Sequence, residues 1–201
     1  MSVTPCQPPR VRAARRAATR QGLLEAARRC FAERGFSDTH VAHIARAAQV
    51  AHGTFYVHFP SKPALLDVLL EDFNARLRAR VGEAMAGARS LDEAALAAAR
   101  AFLEACVAEA PIVRAAAERA AGGLALDAMV EGVNPPALAL LEDLLAARVE
   151  PAQVELVAHG LLALWLRVAL RVLFAGADLE AAASTLSVMT VGAVAALERR
   201  R

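Results

Sequence analysis

Thr54-Phe55-Tyr56-Val57-His58-Phe59-Pro60-Ser61-Lys62 closes a pattern of two short amphipathic runs that begins near residue 20. Short helices joined by a tight turn can present the second of the pair to the major groove of DNA, while nearby basic and hydroxyl side chains hold phosphates. The pattern therefore points to DNA binding.

Upstream of the aromatic string, a first helix is expected over 19–34, with Leu24, Ala27 and Phe31 on one face and Gly35 as its stop. Phe36 packs where the chain turns. A second helix should begin near Thr39, whose hydroxyl can cap free backbone amides, and turn Val41, Ile44, Ala45 and Ala48 inward. The third, over 51–57, follows Gln49 and Val50. Downstream, Ser61 is a fitting cap for a fourth helix running to about residue 86, with Pro63 tolerated in its first turn.

The rest of the chain reads as further helices. Ser90-Leu91-Asp92-Glu93 matches a capping box for a helix that ends near residue 110, before Pro111, and a short helix follows to about residue 120. Gly122-Gly123 and Asn134-Pro135-Pro136 bracket a weaker helical segment. Beyond it helices are expected over 136–148, 151–174 and 178–200. Alanine and leucine dominate, β-branched residues are sparse, and 57% of the 201 residues are hydrophobic, enough for a helical core. The fold class is all-α. The expected organisation is a flexible basic arm over 1–18, a three-helix domain over 19–62 and a helical body over 63–201.

The net charge of +2 conceals an asymmetry. Residues 1–62 hold ten basic and three acidic side chains, +7, which leaves −5 for the remainder. A basic head displaces counterions from a polyanion, and an acidic body is repelled by it.

Cys6, Cys30 and Cys106 are odd in number and widely spaced, so neither a disulfide framework nor a zinc ribbon is indicated. The N-terminus has arginines without the apolar run of a secretory signal, and a reducing, cytoplasmic location is expected. A membrane span is not expected: 156–166 is an eleven-residue uncharged run and 181–197, at seventeen, is interrupted by Ser184, Thr185, Ser187, Thr190 and Gly192, whereas spanning helices need about 20 mainly apolar positions.

The order Phe31-Ala32-Glu33-Arg34-Gly35-Phe36, then Val41 with Ile44-Ala45, then Gly53 to Phe59, Ser61-Lys62 and Ala64-Leu65 resembles the N-terminal domain of the tetracycline-repressor (TetR) family. The resemblance covers about a quarter of the chain. It implies that Thr54, Tyr56 and His58, with His52 and Gly53 beside them, contact DNA, that Lys62 clamps a phosphate, and that Thr39 or His40 touches the backbone. It also implies that Phe55 and Phe59 face the core. Three positions depart from the pattern: Gln49 replaces a turn glycine, Ala51 a capping serine, and Ala42 an arginine. Arg12, Arg15, Arg16 and Arg20 are expected to compensate by tracking phosphates or entering the minor groove.

Four of the five histidines, His40, His43, His52 and His58, lie in the head, but His52 and His58 point about 120° apart on a helix, which disfavours a metal site. No metal or cofactor is expected. His159 is expected to be a packing or interface residue rather than a catalyst. The body has no glycine-rich phosphate cradle, HExxH or Gly-x-Ser-x-Gly motif, so catalysis is not expected.

Phe102 and Cys106, one turn apart, and Trp165, Arg167 and Arg171 are candidate ligand contacts, with core packing as the alternative for each. The arginines would receive an acidic group. Ser184, Ser187, Val188, Val191 and Ala195, with Leu162, Trp165, Leu166 and Leu170, are candidates for self-association, or else close one subunit's core. The resemblance implies a homodimer with a four-helix interface, two recognition helices about 34 Å apart on a near-palindromic double-stranded DNA operator, and a small apolar or amphipathic effector that releases it. The alternatives are a regulator without a small effector and, in another class, an enzyme; a filled body core would favour the former and a cavity of several hundred Å³ effector control.

Overall fold

The computed structural model describes residues 9–121, 138, 141–142, 145–146 and 148–199. Every regular element among them is a helix. In chain order these are α1 (Pro9–Arg34), α2 (Val41–Ala47), α3 (His52–His58), α4 (Lys62–Met85), α5 (Leu91–Ala108), α6 (Ala110–Ala121), α7 (Pro151–Ala175) and α8 (Leu179–Glu198). Residues 138, 141, 142, 145 and 146 are helical too, as expected within 136–148. The segment between Gly122 and Pro136 lies outside the described residues, as does Cys6.

Local signals set most helix ends. Gly35 takes φ +76° and its amide returns to the Phe31 carbonyl at 3.0 Å, ending α1. The Ser61 hydroxyl accepts from the Ala64 amide at 3.2 Å, and Ser90 from Glu93 at 3.1 Å, while the Glu93 carboxylate reaches back to the Arg89 amide at 2.8 Å. Asp178 caps α8 through the Ala181 amide at 2.8 Å, and Gly176 at φ +64° closes α7.

Two elements differ from expectation here. Helix α1 begins at Pro9, inside the arm expected over 1–18. Residues 10–20 are mostly alanine and arginine, strong helix formers without a breaker, and proline is tolerated at a helix start. Thr39 does not cap α2. Its side chain is fully buried and its hydroxyl donates to the Gly35 carbonyl at 2.6 Å and lies 3.2 Å from that of Cys30, locking the α1–α2 turn from within.

The hydrophobic core of the head continues past the expected boundary at residue 62. Leu23, Phe31, Ile44, Phe55 and Phe59 pack with Leu65, Leu66 and Leu69 of α4 and with Ile112, Ala115 and Ala116 of α6. A second cluster joins α4, α5, α7 and α8 through Phe73, Leu77, Phe102, Leu103, Trp165, Leu166 and Leu186. Helices α4 and α6 thus serve both cores.

Charged contacts reinforce the joint. Arg28 of α1 and Arg76 of α4 together hold Asp72 and Glu109, with Arg28 to Asp72 at 3.1 Å and Arg76 to Glu109 at 2.8 Å. Glu118 of α6 accepts from the Phe36 and Ser37 amides at 2.7 and 3.1 Å. A Cβ on Gly35 would meet that carboxylate at 3.0 Å, a second reason for glycine there.

Helices α7 and α8 are long and apolar enough to cross a membrane by length and composition, but each puts one face into the protein core. Their outer faces carry Leu156 and Phe174 on α7, and Val188 and Met189 on α8, all exposed.

Candidate nucleic-acid interface and body cavity

Helices α2 and α3 are joined by a turn centred on Gln49, the one non-glycine with positive φ among the described residues, at +56°. An L-residue held there costs roughly 1–2 kcal/mol, and the turn keeps it because the Gln49 and Val50 amides are both tied, to Arg46 and Ala45 carbonyls at 3.0 Å. Ala51 caps α3 in extended geometry without a side-chain bond. Phe55 anchors α3: it is fully buried, 5.8 Å from Phe59 between ring centroids. With that residue inward, His52, Gly53, Tyr56 and Val57 face outward, and Thr54 and His58 are half-buried at the edges. Tyr56 is 51% and Val57 63% exposed, and the His52 ring stands edge-on to Tyr56 at 5.4 Å. Val57 extends this surface beyond the residues picked from sequence, and Arg46 on α2 is exposed as well.

The helical extension of α1 lies beside α3. Arg12, Arg16 and Arg20 recur at four-residue spacing with Arg15 adjacent, so they run along one side of the helix. Arg12, Arg15 and Arg16 are exposed; Arg20 is half-buried with its guanidinium 4.7 Å from the Phe59 ring centroid. Partial burial, then the charges of Arg16 and Arg20, push the His58 imidazole below its ordinary pKa, which favours the neutral ring. On α2, His40 is exposed and its backbone amide donates to Nδ1 of His43 at 3.2 Å. Burial is also the leading cause that lowers the pKa of His43, ahead of Arg34 and His40.

Thr39 and Lys62 are placed otherwise than the sequence implies. Thr39 is sealed inside. The Lys62 ammonium turns into the α1–α2 turn, donating to the carbonyls of Phe36 at 2.5 Å and Thr39 at 2.7 Å, and lies 4.1 Å from the Phe36 ring centroid. Burial pushes its pKa down, against the pull of Glu118 and Asp38. A lysine at the start of α4 meets two carbonyls of the α1–α2 turn, so it ties the head together.

The body holds a cavity of about 320 Å³. Leu77 and Val81 of α4, Ala98 and Phe102 of α5, and Leu161 and Trp165 of α7 form much of its apolar wall. The Trp165 indole donates to the Thr190 hydroxyl of α8 at 3.0 Å. Two ligand candidates, Phe102 and Trp165, therefore line the cavity, their rings 5.4 Å apart. Three do not. Cys106 is packed in the core, where burial lifts its thiol pKa to about 12, and Arg167 and Arg171 point outward from the opposite face of α7. The periodicity of α7 decides this: with Leu162, Trp165, Leu166 and Ala169 inward, positions 167 and 171 fall outside.

The same periodicity revises the self-association face. Leu162 and Leu166 are buried within the subunit, and Ser187 is buried 3.5 Å from the Asp92 carbonyl. Ser184 and Val188 are exposed, while Leu170, Val191 and Ala195 are half-buried. His159 is half-buried, with Nδ1 2.8 Å from the Glu155 carbonyl. Among the described residues no three His, Cys, Asp or Glu side chains converge as a metal site would require.

A helical pair joined by a tight turn, with an outward second helix, is a helix-turn-helix, here joined to an all-helical body. Residues 23–69 match the family described as bacterial regulatory proteins, tetR family. The HTH-type transcriptional regulator UidR of Escherichia coli is 35% identical over 74 residues, 37% of this chain and 38% of that protein, and the HTH-type transcriptional repressor DhaR of Mycobacterium sp. is 37% identical over 70 residues, 35% of each. The chain thus matches only about a fifth to two fifths of the length of its curated relatives. A TetR-like transcriptional regulator from Rhodococcus sp. RHA1 shares the fold over 89% of this chain and 97% of its own, with a TM-score of 0.66 at 24% identity. Residues 23–69 thus carry the tetR-family domain, and the fold resembles that of TetR-like transcriptional regulators.

Proposed function

We propose that this protein is a homodimeric transcriptional repressor whose two heads grip a near-palindromic DNA site and let go when a small molecule occupies the body cavity. The observation that carries the DNA-binding part is the outward face of α3 together with the arginine side of α1, whose Arg20 lies 4.7 Å from the Phe59 ring centroid just after α3. In this reading His52, Gly53, Thr54, Tyr56 and His58 meet base edges and the sugar-phosphate chain, and Val57 adds an apolar contact suited to a thymine methyl. Neutral His58 offers one donor and one acceptor, as base edges require. Arg12, Arg15, Arg16 and Arg20, with Arg46 and His40, neutralise phosphates. Repression is supported by the likeness of the head to that of DhaR, a named repressor.

Dimerisation is supported by the outer stripe of α7 and α8. Leu156 is 76% and Val188 69% exposed, Phe174 and Met189 lie on the same two helices, and Ser184 and Gly192 allow close approach. A second copy covering this stripe forms a four-helix contact.

Effector control is supported by the cavity and by α4. One end of α4 contributes Leu77 and Val81 to the cavity wall, and the other contributes Leu65, Leu66 and Leu69 to the core of the head. A ligand that favours one setting of α4 shifts head orientation by as much as its affinities for the two settings differ. A filled core would favour a regulator without an effector; about 320 Å³ of void favours control by a ligand. The described wall offers apolar side chains and arginines, which supports binding as its role. Selection of bound duplexes from a random pool tests the reading. An inverted repeat is expected, and a direct repeat or single half-site opposes it. Sedimentation of the full chain tests the dimer, which a persistent monomer would exclude.

A further inference from the structure

The geometry points to an amphipathic anion, an aliphatic tail ending in a carboxylate or comparable acid, as the molecule the body cavity takes. This rests on the reading of that cavity as an effector site. The cavity is polarised. Phe102, Trp165 and Leu162 make a buried apolar part, while Arg78 of α4, Arg89 before α5 and Arg148 before α7 are exposed residues from three separate elements that also line it. No acidic side chain is among the described lining residues. Arg148 has a partner at long range, Glu198 at 3.9 Å, and the nearby Glu93 carboxylate is engaged by the backbone amide of Arg89. Among the described residues, neither Arg78 nor Arg89 has a carboxylate paired with its guanidinium.

Three positive charges along an apolar cavity, two of them without a carboxylate among the described residues, have one complementary partner. A neutral oil would fill the wall and leave the guanidiniums unused, and a cation would be repelled by them. Arg offers forked donors that match a carboxylate. Ser90 lies with them on the lining, and Thr190, which accepts from Trp165, keeps its own hydroxyl proton to donate. At roughly 30 Å³ for a water-sized group, the void holds about ten such groups, the length of a medium aliphatic chain.

The test compares decanoate, 1-decanol and decyltrimethylammonium, which share a tail and differ in charge. Trp165 is the only tryptophan and sits in the wall, so its emission reports occupancy of this cavity without any DNA present. Decanoate is expected to bind about tenfold more tightly than decanol, and the cation more weakly than either. In R78Q/R89Q, with thermal unfolding unchanged, the preference for decanoate should fall to near parity while decanol affinity holds. Equal binding of all three, tighter binding of the cation, no binding at all, or a preference untouched by R78Q/R89Q overturns the inference. If decanol binds as well as decanoate and releases DNA, effector control stands and the anion assignment fails. If decanoate binds through the arginines and DNA affinity does not move, the anion assignment stands and effector control fails.

Discussion

The head and the body use the same element, an amphipathic helix, to opposite ends. In the head, α3 buries one aromatic, Phe55, and turns His52, Tyr56 and Val57 outward. In the body, α7 turns Trp165 and Leu162 toward a void and leaves Leu156 and Phe174 in the open. A surface that works by display is built from neighbours in sequence. A void is built from residues on separate helices, and its chemistry exists only after they pack.

Breaking the anchor of the displayed helix should have the largest effect. Phe55→Ala removes a fully buried ring and should lower stability by about 3–5 kcal/mol, with head and DNA binding lost together; chemical denaturation followed by circular dichroism measures it. The joint between the regions comes next. Glu118→Ala strips the Phe36 and Ser37 amides of their acceptor and should cost about 1–3 kcal/mol. If α6 is part of the coupling between head and body, that variant also weakens the response of DNA affinity to ligand at a fixed wild-type occupancy. A response of unchanged size would leave α4 as the sole route.

The smallest expected change is a gain. Gln49→Gly relieves an L-residue at φ +56° and should raise the unfolding midpoint by the equivalent of about 1 kcal/mol, without altering the exposed face of α3. Ala51→Ser, supplying a hydroxyl where α3 has no side-chain cap, should add a similar amount. A loss of stability in Gln49→Gly would mean that the side chain makes a contact worth more than the strain.

The same contrast explains what is legible in sequence. Ser61, Ser90, Asp178 and Gly35 obey rules that act over a few residues, so helix ends near them fall where expected. Phe55 and Phe59 turn inward as the helical period and the family resemblance require. Thr39 and Lys62 fall elsewhere for different reasons: the Thr39 hydroxyl turns back to the Gly35 carbonyl four residues before it instead of forward to α2, and the Lys62 ammonium is drawn to carbonyls more than twenty residues away. The helical start at Pro9 is written in the alanine and arginine run, but the density of charge there suggests a loose arm. Arg78, Arg89 and Arg148 look like any solvated arginines in sequence; only their shared place along one cavity sets them apart. Leu162, Leu166 and Ser187 pass for interface residues because a small or apolar stripe reads the same whether it meets a second copy or its own core.

The claim that the outward face of α3 recognises DNA is tested most directly by titrating labelled duplex, selected from a random pool, with the wild-type chain and with Tyr56→Ala, while following thermal unfolding of both. The account expects wild type to prefer the selected duplex to a scrambled one, and Tyr56→Ala to lose about tenfold or more in affinity at unchanged unfolding temperature, since that ring is exposed and carries little of the core. Equal affinity of the two proteins, or no preference by wild type between selected and scrambled duplex, would contradict it.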